Sequence, residues 1–158
     1  MIEEFLRESN AIEGVYDQDS LNQATLAWKY LQERDDMTLE LVKKVHKILM
    51  LNQKLEKHEI GNFRMVPVWI GGREAINSSD VSIAIEEWCE EMNDPLKNPF
   101  PDDESKTLHV DYEKIHPFID GNGRTGRMFM NWWRIKNNLP LLVIHEGKEQ
   151  MEYYKWFK

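Results

Sequence analysis

Twelve consecutive residues, His116-Pro-Phe-Ile-Asp120-Gly-Asn-Gly-Arg124-Thr-Gly-Arg127, bring together an imidazole, a carboxylate, three glycines, an amide and two guanidiniums. Each of these has a use beside a polyphosphate. An imidazole takes a proton from an incoming hydroxyl near neutral pH. A single carboxylate, completed by nucleotide phosphates and water, is a usual way of holding Mg²⁺. Guanidinium forks match phosphate oxygens. Glycines let main-chain N–H groups face an anion without interference from a Cβ, and a helix starting there adds unpaired donors and the positive end of its dipole. The pattern predicts His116 as a base, Asp120 as a metal ligand and Gly121-Asn122-Gly123 as an anion cradle. Arg124 and Arg127, three apart on one helix face, would hold two successive phosphates. The combined chemistry is group transfer from a nucleotide.

Other nucleotide motifs do not fit. Gly121-Asn-Gly123-Arg-Thr-Gly126 matches the dinucleotide fingerprint G-x-G-x-x-G in letters, but that fingerprint follows a buried strand, whereas Leu108 to Ile115 has helical spacing and ends at His116-Pro117. There is no G-x-x-x-x-G-K-[ST] phosphate loop, and His58-Glu59 lacks the second histidine of a zinc-protease helix.

The elements that must position these groups read as mostly α. Ile2 to Ile12 is a short helix stopped by Gly14, a good C-terminal cap. Ser20 with Gln23 suggests a capping box for a helix with Leu21, Ala24, Trp28 and Leu31 on one face. Leu41, Val45, Ile48, Leu49, Asn52 and Leu55 give a third helix. Ser79 or Asp80 would cap a fourth through Val81, Ala84, Ile85, Trp88 and Met92. Leu108, Tyr112 and Ile115 mark the helix leading into His116, which proline terminates. Met128, Phe129, Trp132 and Trp133 mark the most buried helix, and Met151, Tyr154 and Trp156 or Phe157 a last amphipathic piece. Between Gly61 and Gly72 the period changes to two, with Val66, Val68 and Ile70 alternating with Met65, Pro67 and Trp69. Pro67 confines such a strand to an edge or an exposed hairpin. An exposed strand edge can receive a segment of another chain, or the hairpin can simply cover the core.

Composition sets the frame. A chain of 158 residues suits one domain with one core, and 41% hydrophobic with 30% charged residues is ordinary for a globular protein. A formal charge of −8 argues against a broad nucleic-acid footprint. Cys89 has no partner for an internal disulfide, and there is no signal-peptide profile and no apolar run of membrane-spanning length. The expectation is a cytoplasmic protein with neither nucleic-acid nor membrane partners; homo-oligomerisation is left open.

The twelve-residue stretch resembles the signature of Fic-domain proteins, H-x-F-x-[DE]-G-N-G-R-x-x-R, with every defining position present. Gly61 to Gly72 resembles that family's flap hairpin, and Ser9-Asn-Ala-Ile-Glu13-Gly14 its inhibitory-helix motif [ST]-x-x-x-E-[GN]. The resemblance implies a single Fic domain over 1–158, with a helical core, an inhibitory helix at about 2–14 and a flap at about 61–72. It implies transfer of AMP from ATP, with Mg²⁺, to a hydroxyl side chain of a target protein. His116 would be the general base, Asp120 the Mg²⁺ ligand, and Gly121, Asn122 and Gly123 the anion hole. Arg124 and Arg127 would hold the outer phosphates, and Val66, Pro67, Val68, Trp69 and Ile70 would dock the target. Phe118 would anchor the loop in the core.

In similar proteins the helix glutamate pairs with the second signature arginine. Ser9, Glu13 and Gly14 would accordingly form a built-in brake in which Glu13 engages Arg127. In some relatives the same glutamate positions water for removal of AMP, which makes a deAMPylase an alternative reading. A catalytically silent Fic-like regulatory or binding module, a small-molecule nucleotidyltransferase, a kinase-like relative and a phosphocholine transferase are further alternatives; the intact Gly121-Asn-Gly-Arg124 favours AMP transfer.

Overall fold

The helices fall largely where apolar spacing predicts, in a computed structural model that describes residues 1–158. They are α1 (Ile2–Ile12), α2 (Gln18–Gln32), α3 (Leu39–Met50), α4 (Val81–Asn93), α5 (Pro101–Ile115), α6 (Asn122–Lys136) and α7 (Lys148–Tyr154). The only strands, β1 (Trp69–Ile70) and β2 (Arg73–Glu74), pair antiparallel. No helix is long and apolar enough to cross a membrane.

α6 is the axis. Met128, Phe129, Trp132 and Trp133 are buried, and so are Arg124, Thr125, Arg127, Asn131 and Arg134 on its other faces. A helix enclosed all round has to be central, and α6 packs against α1, α2, α3 and α5. Phe129 meets Trp88 and Tyr112 edge-on at 5.7 and 5.4 Å. Burying a phenylalanine in this way contributes about 1.5–3 kcal/mol. α1 joins the same core through Phe5 and Leu6, with Phe5 edge-on to Trp28 at 5.4 Å. It ends as expected, with Gly14 in the left-handed region at φ 72° and its N–H donating to Ala11 O at 2.9 Å.

Several boundaries differ from the sequence reading, each for a local reason. Asp17, and not Ser20, caps α2: its carboxylate accepts from the Ser20 N–H and Oγ, each at 2.9 Å. α3 stops at Met50, short of Leu55, because Gln53 N–H turns back to Met50 O and the Asn52 and Gln53 amides reach Ser20 Oγ at 3.2 and 2.8 Å. Asn77, and not Ser79 or Asp80, provides the cap before α4; its Oδ1 accepts from both the Ser79 N–H and Oγ at 3.0 Å. In the last piece Tyr153 is the buried face, whereas Met151 and Tyr154 are exposed.

The largest correction is the flap. The ladder does not run along Val66 to Ile70; it is a short hairpin with Trp69 opposite Glu74 and Ile70 opposite Arg73. Gly71 and Gly72, at φ 54° and 82°, form its two-residue turn, the type that matches strand twist and needs two left-handed residues. Ala75 N–H to Val68 O at 2.9 Å is its last rung. The excursion therefore runs to Ile76, past the expected end at Gly72.

Asn77→Ala is expected to lower unfolding free energy by about 1 kcal/mol, with Asp80→Ala within about 0.5 kcal/mol of the parent, in urea denaturation. The reverse order would restore Asp80 as the cap.

Candidate active site

α5 delivers His116 in an unusual backbone state. His116 is left-handed (φ 50°, ψ 62°), with its N–H still bonded to Tyr112 O at 3.0 Å and Pro117 following. Its Nδ1 lies 3.1 Å from Glu113 O. A carbonyl only accepts, so Nδ1 carries the proton and Nε2 keeps a free lone pair. Burial lowers the pKa of His116 below the ordinary histidine value. The ring is thus neutral at pH 7, as a base must be.

The loop from His116 to α6 is fastened from inside. Phe118 is fully enclosed and stacks on His46 with centroids 3.6 Å apart. Asn122 brackets the same residue, its Oδ1 accepting from Phe118 N–H at 2.9 Å and its Nδ2 donating to Phe118 O at 2.8 Å. His46 is held in one tautomer: the Gly61 N–H donates to Nδ1 at 2.9 Å, so Nε2 carries the proton it gives to Asp120 O at 2.8 Å. Burial pushes His46 down to about 4. Gly121, at φ 87°, holds a conformation in which any side chain is strained, and a Cβ there would also press on Met50 Sδ at 2.8 Å.

Beyond Gly121 the first turn of α6 has no side-chain cap, and the N–H groups of Asn122, Gly123 and Arg124 find no partner in the chain. Such a turn attracts an anion. Arg124 is buried beside it, with Nη1 3.4 Å from Gln53 Oε1 and Nε enclosed without a partner. Asp120, exposed at the rim, accepts from the Gly121 N–H through Oδ1 at 2.8 Å. No group of three or more His, Cys, Asp or Glu side chains is arranged to hold a metal ion by itself. Asp120 thus suits a cation that brings its own phosphate and water ligands, as Mg²⁺ does.

Arg127 is 2% exposed, and each of its three nitrogens donates a hydrogen bond. Nε donates to Ser9 Oγ at 2.8 Å, Nη2 to Ser9 O at 3.0 Å and to Glu13 Oε1 at 2.8 Å, and Nη1 to Tyr153 Oη at 3.1 Å. The Glu13 carboxylate also overlies the start of α6: a Cβ added to Gly123 would fall 2.5 Å from Glu13 Oε1. An anion of the chain itself therefore lies at the uncapped turn.

The predicted residues thus form one constellation of His116, Asp120, Gly121 to Arg124, Arg127, Ser9 and Glu13, with two refinements. The Asn122 side chain is engaged with Phe118, leaving its main-chain N–H to face an anion, and Gly14 acts through its backbone. Of the flap residues, Val66, Pro67 and Trp69 are exposed and Val68 and Ile70 half-buried. Sequence reading missed Tyr153, His46, Arg64 and Glu113. Tyr153 also lies 2.7 Å from His109 Nε2. Burial raises the Glu113 carboxyl to about 7, Arg127 nearby opposes that, and its Oε1 is enclosed without a partner. His46 had a signal, being the one polar side chain on the stripe Val42, Val45, Leu49.

A model of the Fic/DOC family matches residues 36–133, from the approach to α3 through most of α6. This chain belongs to the Fic/DOC family. It is 30% identical over 138 residues to the protein adenylyltransferase Fic of Drosophila grimshawi, covering 84% of this chain and 28% of that protein, and 30% identical to that of Drosophila willistoni. The chain thus spans little more than a quarter of the length of these curated relatives. Among solved structures, a Fic-domain-containing signalling protein from Bacteroides thetaiotaomicron superposes with a TM-score of 0.78 at 17% identity, covering 97% of this chain and 69% of that one. Fic-1 from C. elegans gives 0.80 at 18% identity, covering 98% and 53%. The fold, helical with a small antiparallel hairpin, is that of solved Fic structures over 97% of this chain, whereas α1, α2 and α7 lie outside the family match.

The tautomer of His46 makes a pH prediction. Folded, it stays neutral down to about 4; unfolded, it takes a proton from about 6.5. Its contribution to stability is full above 6.5 and is lost as the pH falls toward 4. A ¹⁵N titration should show His46 as the Nε2–H form at pH 6; a midpoint near 6.5 would contradict the assignment.

Proposed function

We propose that this chain is a protein adenylyltransferase that moves AMP from ATP to a hydroxyl side chain of a target protein, and that α1 holds it in check. One observation carries the reading most directly: a neutral His116 with a free Nε2 stands at the entry of a loop that ends in an uncapped helix turn flanked by two buried arginines. The names of the Drosophila relatives support the same activity.

In this reading the outer phosphates lie on the Asn122, Gly123 and Arg124 N–H groups, with Arg124 and Arg127 closing around them. The target hydroxyl, presented along the flap, attacks the α-phosphorus as Nε2 of His116 takes its proton. The new P–O bond forms as the bond to the α,β-bridging oxygen breaks, and pyrophosphate leaves. Asp120 would hold Mg²⁺, which supplies charge neutralisation on phosphate oxygens when bound. His116 contributes about 10²- to 10⁴-fold as a base, and positioning with fixed donors supplies the rest.

Glu13 would act as the brake because its carboxylate and an outer phosphate compete for Arg127 and for the first turn of α6. A closed-to-open ratio of about 100 needs only about 2.7 kcal/mol. Charge-assisted hydrogen bonds to a buried guanidinium are worth about 1.5–3 kcal/mol each, and the 39% exposure of the Glu13 side chain discounts this one. The apolar seat of Phe5, Leu6 and Ile12 adds to it.

Glu13→Gly is expected to raise transfer from α-labelled ATP, with Mg²⁺ and a nucleotide-depleted cell extract as acceptor, by about 10- to 100-fold. His116→Ala in that background should lower it by about 10²-fold or more. Label retained from γ-labelled ATP alone would indicate a kinase, and equal rates for Glu13→Gly and the parent would remove the brake.

A further inference from the structure

The end of α5 leaves a problem that the signature does not solve. His116 turns left-handed and Pro117 has no N–H, so the carbonyls of Ile115, His116 and Pro117 lie beyond the last helical donors. Buried carbonyls need partners. One residue outside the signature supplies all three. Arg64 gives its Nε–H to His116 O at 2.7 Å, an Nη2–H to Ile115 O at 3.2 Å and its main-chain N–H to Pro117 O at 2.8 Å.

The same guanidinium faces the flap with its remaining donors. Nη1 donates to Val66 O at 3.1 Å, before the hairpin, and Nη2 to Ile76 O at 2.7 Å, after it. Arg64 is 3% exposed, and no carboxylate lies within ion-pair distance of it. Four main-chain carbonyls compensate its charge. A cation at a helix C-terminus is favourable in itself, and only a planar fork reaches both sides in this way; a lysine offers one compact centre.

We propose that Arg64 is a positioning residue that ties both legs of the flap to the backbone of His116, so that the segment meant to receive a target and the group meant to take its proton move as one body. The inference rests on the reading of His116 as base and of the flap as docking site. It explains why the strand is broken short of Val66. The Val66 carbonyl, which a longer ladder would give to the Asn77 N–H, is turned onto Arg64, together with that of Ile76. A target strand laid along Trp69 and Ile70 would then be registered directly against the imidazole. Arg64 touches no reacting atom.

The test compares the full chain with Arg64→Lys, using the His116 Hε1 resonance, amide exchange at Trp69 and Ile70, and label transfer in the Glu13→Gly background. Asn77→Ala serves as a control for general destabilisation. The expected result for folded Arg64→Lys is a moved or broadened His116 signal together with flap exchange at least 10-fold faster. Transfer kcat should fall about 10-fold or more with KM for ATP unchanged within about twofold; Asn77→Ala should leave His116 in place. An unchanged His116 signal, or loosening of the flap alone, overturns the proposal. Because the resonance measurements need no turnover, failure of the AMP-transfer reading is separable: no label moves in any variant while the coupling of His116 to the flap still shows. If Arg64→Lys does not fold, the parent decides. A through-hydrogen-bond coupling between Arg64 Nε and the His116 carbonyl carbon, with a slowly exchanging Nε–H, supports the tie, and a freely exchanging Nε–H overturns it.

Discussion

A guanidinium removed from water needs acceptors on every side, and that requirement at Arg127 shapes much of this molecule. α6 is the central helix, so an arginine on its first turns cannot reach solvent. Its acceptors come from the two ends of the chain, Ser9 and Glu13 from α1 and Tyr153 from α7. Removing one partner of a buried ion pair commonly costs about 3–5 kcal/mol. Here the cost of losing Glu13 is smaller, because Ser9 and Tyr153 remain and Glu13 itself is partly exposed. The arginine left behind would be short of negative charge beside unpaired N–H groups, a combination suited to phosphate.

Fixing Arg127 would achieve little if the loop before it could wander. Four fastenings prevent that: Phe118 against His46, the Asn122 bracket, the His46 bond to Asp120 O and the Arg64 fork on Ile115 and His116. All of them grip main chain or an enclosed ring, leaving His116 Nε2, the Asp120 rim and the α6 N–H groups unobstructed. Rigidity is concentrated in the backbone and chemistry is left to the exposed atoms. Positioning catalysis, which the proposed function requires, would draw on such fastening.

The helical core was legible because its signal is additive: Leu41, Val45 and Leu49, or Phe129 and Trp133, repeat at helical spacing and are all buried. The signature residues were legible because unusual types crowd into one segment, and the pairing of Glu13 with Arg127 could be anticipated only through resemblance to a family; the bonds of Ser9 to Arg127 were not anticipated. Caps were misread by a few residues, since Ser20 and Asp17 are equally good cap letters and only the path of the chain decides between them. The flap was misread because alternation reports which side chains share a face, not whether carbonyls such as Val66 O find a strand or an arginine. Tyr153 and His109 escaped notice for the opposite reason. Their partners lie 26 and 44 positions away, and no local pattern records a contact of that kind.

The central claim is that the Arg127 guanidinium serves an internal carboxylate and an outer nucleotide phosphate in alternation. Crystals of the parent and of Glu13→Gly, each grown with Mg²⁺ and ATP, test it most directly by showing what Arg127 binds. The expected result is an outer phosphate on Arg127 in Glu13→Gly and an intact bond between Glu13 and Arg127, with no phosphate on Arg127, in the parent. A phosphate bound to Arg127 while Glu13 stays in place, or no phosphate there in either protein, would contradict it.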